Sequence, residues 1–250
     1  MSGHSKWATI KHKKALIDSK RGKMFTKVIK ELTVAARLGG SDINGNPRLR
    51  KAVADAKSEA MPADTIKRAI QRGAGEIEGV MYDEIVYEGT GPGGTLFVVE
   101  ALTDNKNRTV AEIRKVFEKN NGLLSSAGAA MWAFDRKGHI TLPKAAATED
   151  QLMDVAVVAG ADDYTDQGEE WLVTTPPASL DLITKALEEA KIMPKSGNLA
   201  YVPKTKKAVI GRDAEVCIQL FEALDDHDDV QNVFADFDVS DEEMERLAEA

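Results

Sequence analysis

Near residue 80 the spacing of apolar residues changes period, and this restricts the chain to a helical head followed by an α+β body. Phe25, Val28, Ile29, Leu32 and Ala36 recur at helical intervals, which predicts a helix over about Lys23–Leu38. Asn46-Pro47 signals a helix start, with Leu49, Val53 and Ala56 on its apolar stripe. A third helix is expected from near Pro62, burying Ile66, Ala69 and Ile70 and stopping at Gly73 as its C′ glycine. Three short amphipathic helices close one small core as a three-helix bundle.

Charge divides at the same place. Residues 1–75 hold 17 Lys/Arg against 6 Asp/Glu, a net of +11; residues 76–250 hold 16 against 35, a net of −19. The whole-chain value of −8 conceals this basic head and acidic body. Such a surplus in so short a stretch points to a polyanionic partner, nucleic acid or nucleoprotein. On the first helix Lys23, Lys27, Lys30 and Arg37 fall opposite Phe25, giving a basic face expected to meet solvent or phosphate. Ahead of it lie Lys6, Lys11, Lys13, Lys14, Lys20 and Arg21 with a single acid, Asp18, interleaved with His4, Trp7 and His12. Lysines attract phosphate, and an indole or imidazole stacks on an unpaired base, a mixture that suits irregular RNA better than a smooth duplex. Trp7 is equally suited to anchoring this segment on the bundle. His4 and His12 lack the further ligands of a zinc site.

In the body, Ile85–Glu88 and Leu96–Leu102 read as strands around Gly89-Thr-Gly-Pro-Gly-Gly94. That run matches G-x-G-x-x-G, but a strand follows it where a dinucleotide site needs a helix, so it is read as a hairpin turn. A helix is expected over Arg108–Asn121, with Thr109 and Glu112 as a capping box and Val110, Ile113, Val116 and Phe117 inward. A strand follows at Ala129–Phe134, with Trp132 in the core. Residues 138–203 then run β-α-β-β-α-β: His139–Leu142, a helix capped by Thr148 and Gln151, Asp162–Thr165, Glu170–Thr174, Pro177–Ile192 and Asn198–Val202. This is the ferredoxin-like order. Leu96–Leu102, Arg108–Asn121 and Ala129–Phe134, joined to Lys207–Ile210, Asp213–Ala223 and Val230–Phe237, give the same order again. The expectation is one ferredoxin-like domain inserted into another, with Lys207–Ile210 pairing in the sheet of Leu96–Leu102. The fold class is therefore α+β multidomain: a three-helix bundle plus two ferredoxin-like βαββαβ domains, one inserted in the other. Its expected divisions are 1–75, 80–134 plus 206–238, 135–205, and an acidic helix at 239–250.

Several chemistries find no support. Asp225-Asp-His-Asp-Asp229 and Asp241-Glu-Glu-Met-Glu245 lack the register of a calcium loop and are read as a solvated turn and a terminal helix. Lone Cys217 sits on the apolar face of its helix as core filler, and His139 and His227 stand isolated. Neither a nucleophile elbow nor a metalloprotease or kinase motif is found. No enzyme, metal or cofactor is expected. No run approaches a membrane span, and the polar start through Trp7 lacks a signal h-region, so a cytoplasmic protein without membrane contact is expected.

Ser2-Gly-His-Ser-Lys-Trp-Ala-Thr-Ile-Lys-His-Lys-Lys and Lys20-Arg-Gly-Lys-Met-Phe-Thr-Lys closely resemble the opening of the YebC family. The likeness continues through Asn46-Pro-Arg-Leu-Arg, Ile66-Lys-Arg-Ala-Ile, Gly91-Pro-Gly-Gly, Asp104-Asn-Lys-Asn-Arg-Thr and Phe134-Asp-Arg-Lys-Gly. The relatives of that family include the mitochondrial translational activator of cytochrome c oxidase. The resemblance implies a non-enzymatic nucleic-acid-binding regulator of gene expression. Bacterial members are described as DNA-binding transcriptional regulators, and other relatives act on the ribosome in translation. The basic segment leans towards RNA. The alternative expectation is a protein-interaction adaptor docking acidic partners. The residues expected to contact nucleic acid are those of the basic segment and helix face named above.

Overall fold

The computed structural model of the chain describes residues 17–249, with side chains from Gly22 to Leu247. Among the described residues it is an α+β multidomain protein with eight helices and two four-stranded antiparallel sheets. These gather into two compact units. One runs to Met131 and resumes at Val209–Phe237; the other comprises Trp132–Ala208 and the stretch from Asp238 onward.

The first unit opens with the bundle: α1 (Ile17–Gly39), α2 (Pro47–Ser58) and α3 (Ala63–Gly73). The stripe residues Val28, Leu32, Leu49, Val53, Ile66 and Ala69 form its core. Asn46 closes the α1–α2 turn as the N-cap. Its Oδ1 accepts from the Leu49 amide at 3.1 Å, and its Nδ2 donates to the Ala35 and Gly40 carbonyls at 2.8 Å each. Gly73 is not the C′ glycine: it is the last helical residue, and Gly75 takes the left-handed conformation, φ 77°. A Cβ on Gly73 would lie 2.2 Å from the Thr33 carbonyl oxygen, so glycine there permits the close approach of α3 to α1.

The bundle leads into β1 (Asp83–Thr90), β2 (Leu96–Thr103), α4 (Lys106–Lys119) and β3 (Leu123–Ser125). β1 and β2 form the expected hairpin, with Thr90 opposite Leu96 across the Gly91–Gly94 turn. The second half of α4 carries the expected inward residues Ile113 and Phe117, but the N-cap is Asn105, accepting from the Arg108 amide at 3.1 Å. Thr109, expected in a capping box, instead turns inward and is fully buried.

The second unit contains β4 (Phe134–Pro143), α5 (Glu149–Leu152, continuing as a π-turn to Val157), β5 (Asp163–Asp166), β6 (Glu170–Thr175), α6 (Leu180–Glu189) and β7 (Ser196–Pro203). The sheet order β5-β6-β4-β7 is that of a ferredoxin-like domain. The Thr148–Gln151 capping box forms as expected. Ile140, Leu142, Leu152, Val173, Ile183 and Leu187 pack with no accessible surface. The short strand β8 (Lys207–Ala208) leads out of this unit.

The chain then returns to the first unit as α7 (Gly211–Asp225) and β9 (Val230–Ala235). The order of that sheet, β3-β1-β2-β9, is again ferredoxin-like, but the third strand position belongs to β1. Lys207–Ile210 does not fill it; β8 falls in a separate two-stranded ladder. The physical reason is proximity. The five-residue connection 91–95 delivers β1 to β2 at little loop-closure cost, whereas Lys207 lies about a hundred residues beyond β2.

Ala129–Phe134 is likewise not a strand. Met131–Ala133 is a single 3-10 turn, and Trp132 is 68% exposed rather than core. The cause is Glu88 on β1. Its carboxylate is buried and accepts the amides of Gly128, Ala130 and Met131 at 2.6, 2.6 and 2.7 Å, curling that backbone around itself. The chain ends in the described residues with a short β10 (Phe237–Asp238) and the acidic helix α8 (Asp241–Glu249). No described helix is long and apolar enough to cross a membrane.

Candidate nucleic-acid interface

The residues expected to contact nucleic acid divide into three groups. His4, Lys6, Trp7, Lys11, His12, Lys13 and Lys14 lie outside the described residues, as do the side chains of Lys20 and Arg21. Arg37 is half-buried near the end of α1. Lys23, Lys27 and Lys30 do occupy one face of α1, as their spacing requires, but each is paired, and the face closes to solvent from Lys23 towards Lys30.

The face lies against the turn between α7 and β9, the Asp225–Asp229 run read from sequence as solvated. Lys23 Nζ donates to Asp226 Oδ2 at 2.7 Å and to the Asp226 carbonyl at 3.1 Å. Lys27 Nζ donates to the Asp225 carbonyl at 2.6 Å, with the Asp225 carboxylate 3.9 Å away. Lys30 Nζ donates to Asp229 Oδ1 at 2.5 Å and to the Asp228 carbonyl at 3.0 Å, and lies 5.6 Å from the centre of the Tyr82 ring. Each ammonium thus meets a carboxylate and a backbone carbonyl. The carbonyls at 225 and 226 carry the negative end of the α7 dipole, so the helix itself draws the lysines in.

Exposure falls along this face: the side chains of Lys23, Lys27 and Lys30 are 40%, 15% and 7% accessible. A hydrogen bond from Lys23 to Asp226 raises the ammonium pKa, whereas burial lowers that of Lys27 against the pull of Asp225.

Asp229 is the inner anchor. Its Oδ2 accepts from Arg108 Nη2 at 2.7 Å and from the Thr109 hydroxyl at 2.6 Å, while Oδ1 takes Lys30. Burial would push this carboxyl up; the hydrogen bonds from Lys30, Thr109 and Arg108 prevail and hold it well below the usual carboxylate range. Thr109 is backed by Thr103, whose hydroxyl lies 2.7 Å away and accepts the Asn105 amide at 2.9 Å. The Asp229 carbonyl accepts from the Leu102 amide at 2.8 Å, which seats the turn on β2. A second tie joins bundle and sheet: Arg48 forks onto both oxygens of Glu31 at 2.6 and 2.9 Å and reaches Glu84 on β1 at 2.8 Å.

A cleft of about 770 Å³ opens beside this face, walled by Lys23, Tyr82, Lys115, Lys119 and Asp226. At its inner end Glu112, His227 and Asp229 bring ligand-type atoms within 4.8 Å of one another. The set does not suit a metal. Both Asp229 oxygens are already engaged by cations and a hydroxyl. His227 Nδ1 accepts the Asp229 amide at 3.1 Å, so its neutral ring carries the proton on Nε2, facing Glu112 at 3.1 Å as a donor. Cys217 is fully buried on α7, and burial lowers the pKa of half-buried His139 in β4.

Sequence reasoning found the basic face and missed what faces it. The signal was present as the Asp225–Asp229 run, but nothing local ties that run to α1.

Comparison with known proteins finds matches across nearly the whole chain. A family model described as the TACO1/YebC protein N-terminal domain matches residues 5–76, and one described as the TACO1/YebC second and third domain matches 82–237. A probable transcriptional regulatory protein of Geobacter sulfurreducens is 53% identical over 247 residues, covering 99% of this chain and all of that protein. One of Desulfotalea psychrophila is 53% identical over 253 residues, covering the whole of both. The crystal structure of a conserved hypothetical protein from Aquifex aeolicus, 41% identical, superposes with a TM-score of 0.86 and covers 94% of this chain and 97% of that one. The chain belongs to the TACO1/YebC family.

Proposed function

We propose that the protein is a non-enzymatic, nucleic-acid-binding regulator of gene expression that works from the cytoplasm. Residues 1–75 serve as the contacting domain, and 80–134 with 206–238, together with 135–205, serve as the body that positions it. The observation that carries this reading is the charge of the N-terminal segment: residues 1–22 hold six Lys/Arg and one acid, with Trp7 and two histidines among them. Lys23, Lys27 and Lys30 are paired with Asp225–Asp229, which leaves the charge of this segment as the main support for the reading. Binding by phosphate neutralisation releases counterions, and the aromatic residues favour unpaired bases. The names of the relatives, probable transcriptional regulatory proteins, support regulation of gene expression. Structured RNA on the ribosome is the target that the aromatic content favours.

The test is a salt titration of affinity for ribosomes, a structured RNA and a random DNA duplex. Log affinity is expected to fall linearly with log salt, with a slope of about 0.7–0.9 per phosphate contact. Lys11→Ala, Lys13→Ala and Lys14→Ala together are expected to flatten it. An unchanged slope removes the segment as the contact, and absence of binding to all three removes the reading in favour of a protein-docking adaptor.

A further inference from the structure

We propose that the Asp225–Asp229 turn is an internal phosphate mimic, covering the outer half of the basic face of α1 until a nucleic-acid backbone displaces it from Lys23 and Lys27. This rests on the nucleic-acid reading above and concerns its regulation.

Three observations carry it. First, the turn satisfies the lysines as a phosphodiester backbone would, with an anionic oxygen for each ammonium at successive positions along the helix. The contacts are Asp226 to Lys23, Asp225 to Lys27 and Asp229 to Lys30. Second, the contact is graded. The Lys23–Asp226 pair is 40% and 63% accessible, and exposed pairs of this kind exchange readily with solvent and competing ions. The Lys30–Asp229 pair is 7% and 4% accessible and is locked by Arg108 and Thr109. The outer rungs can open while the inner rung holds the turn in place as a pivot. Third, the opening end leads directly into the basic segment. Lys23 is two residues beyond Arg21 on the helix Ile17–Gly39, so the outer rung adjoins the basic segment in the chain.

Displacement exchanges one set of ion pairs for another. The carboxylates of Asp225 and Asp226 return to water while phosphates take their place on Lys23 and Lys27. The cleft between α1 and α4 offers room for this, and Lys115 and Lys119 on its far wall have no carboxylate partner among the described residues. A protein whose binding face is covered most of the time shows weakened affinity by the fraction uncovered. The cover therefore sets a threshold: weak or short polyanions are held by residues 1–21 alone, and only an extended backbone recruits α1.

The experiment uses the full chain and a zero-length carbodiimide crosslinker, which joins an amine to a carboxylate only in direct contact. The Lys23–Asp226 crosslink is quantified by peptide mass spectrometry, alone and with saturating RNA hairpin or duplex DNA. Its yield is expected to fall several-fold on binding, while the surface crosslink Lys137–Asp162 is unchanged and the Leu102 amide, which donates to the Asp229 carbonyl, keeps its exchange protection. Asp225→Asn with Asp226→Asn is expected to tighten binding roughly two- to thirtyfold. Asp181→Asn with Glu188→Gln on α6 removes the same charge elsewhere and is expected to change it less than twofold. Binding with an undiminished Lys23–Asp226 crosslink, or equal tightening by both double variants, overturns the cover and leaves the nucleic-acid reading intact. Absence of binding to either polyanion overturns both.

Discussion

The two four-stranded sheets share one strand order and are held together differently. The sheet of the second unit is made from one continuous stretch, Phe134 to Pro203, over a core of aliphatic side chains and Trp171. Its ion pairs, Lys137–Asp162, Lys144–Asp166 and Lys195–Glu170, lie at the surface. The sheet of the first unit is assembled from distant pieces and buries charge: Lys30, Glu88, Asp229 and Asp236 are all under 9% exposed. Asp236, just after β9, accepts the Leu96 amide at 2.7 Å. A continuous domain obtains its register from short connections. A discontinuous one needs directional contacts between remote segments, and a buried carboxylate with several donors supplies direction that apolar packing does not. The difference teaches that here the buried charges mark the seams between chain segments.

Replacing a seam carboxylate is the most direct way to break this comparison. Asp229→Ala strands Lys30 without its partner and is expected to cost about 3–5 kcal/mol in denaturant unfolding. Hydrogen exchange should show the loss in β2, β9 and α1 while β4–β7 keep their protection. A loss under about 1 kcal/mol would show that the seam is held by packing alone. The counterpart is Leu142→Ala, with an expected cost of about 2–5 kcal/mol for the cavity. Its exchange signature should be confined to residues 134–203.

Acid sharpens the comparison without mutation. The folded pKa of Asp229 lies below its unfolded value of about 3.9, so its stabilisation is complete above that pH and is lost as pH falls through the folded value. Glu88 behaves in the same way: burial opposes, and the three amides override, leaving its carboxyl lowered. Below about pH 4 the first unit is expected to lose exchange protection before the second. Glu88→Gln should cost about 1–3 kcal/mol by leaving amides of the 128–131 turn poorly satisfied. Lys137→Ala, which removes only a surface pair, should cost at most about 1 kcal/mol. Equal effects from these two would erase the distinction between seam and surface.

What could be read from sequence follows the same division. The bundle helices, the β1–β2 turn, the Thr148–Gln151 capping box and the order of the second unit all depend on neighbours within a few residues, and their periodicity shows it. Lys207–Ile210 and Ala129–Phe134 were misplaced because their fate is decided elsewhere, by β1 filling the sheet position and by Glu88 gathering the turn. Thr109 has the spacing of a capping residue, and only the presence of Asp229 explains why it faces inward. At the candidate interface, the three lysines were legible as a charged face by their helical spacing. That they are paired was not, because residue spacing within α1 carries no information about a turn that follows it by two hundred residues.

That separation has a consequence during synthesis. Lys30 and Asp229 are 199 positions apart, so α1 is made long before the acidic turn exists. The bundle and the inserted unit have all their own residues well before that point, and domains generally fold as units as they emerge. Until the turn is made, the nascent protein displays a folded helix whose Lys23, Lys27 and Lys30 lack the carboxylates that pair with them in the finished fold. Closure of the turn on α1 therefore comes late in folding, after the bundle and the inserted unit have their own residues.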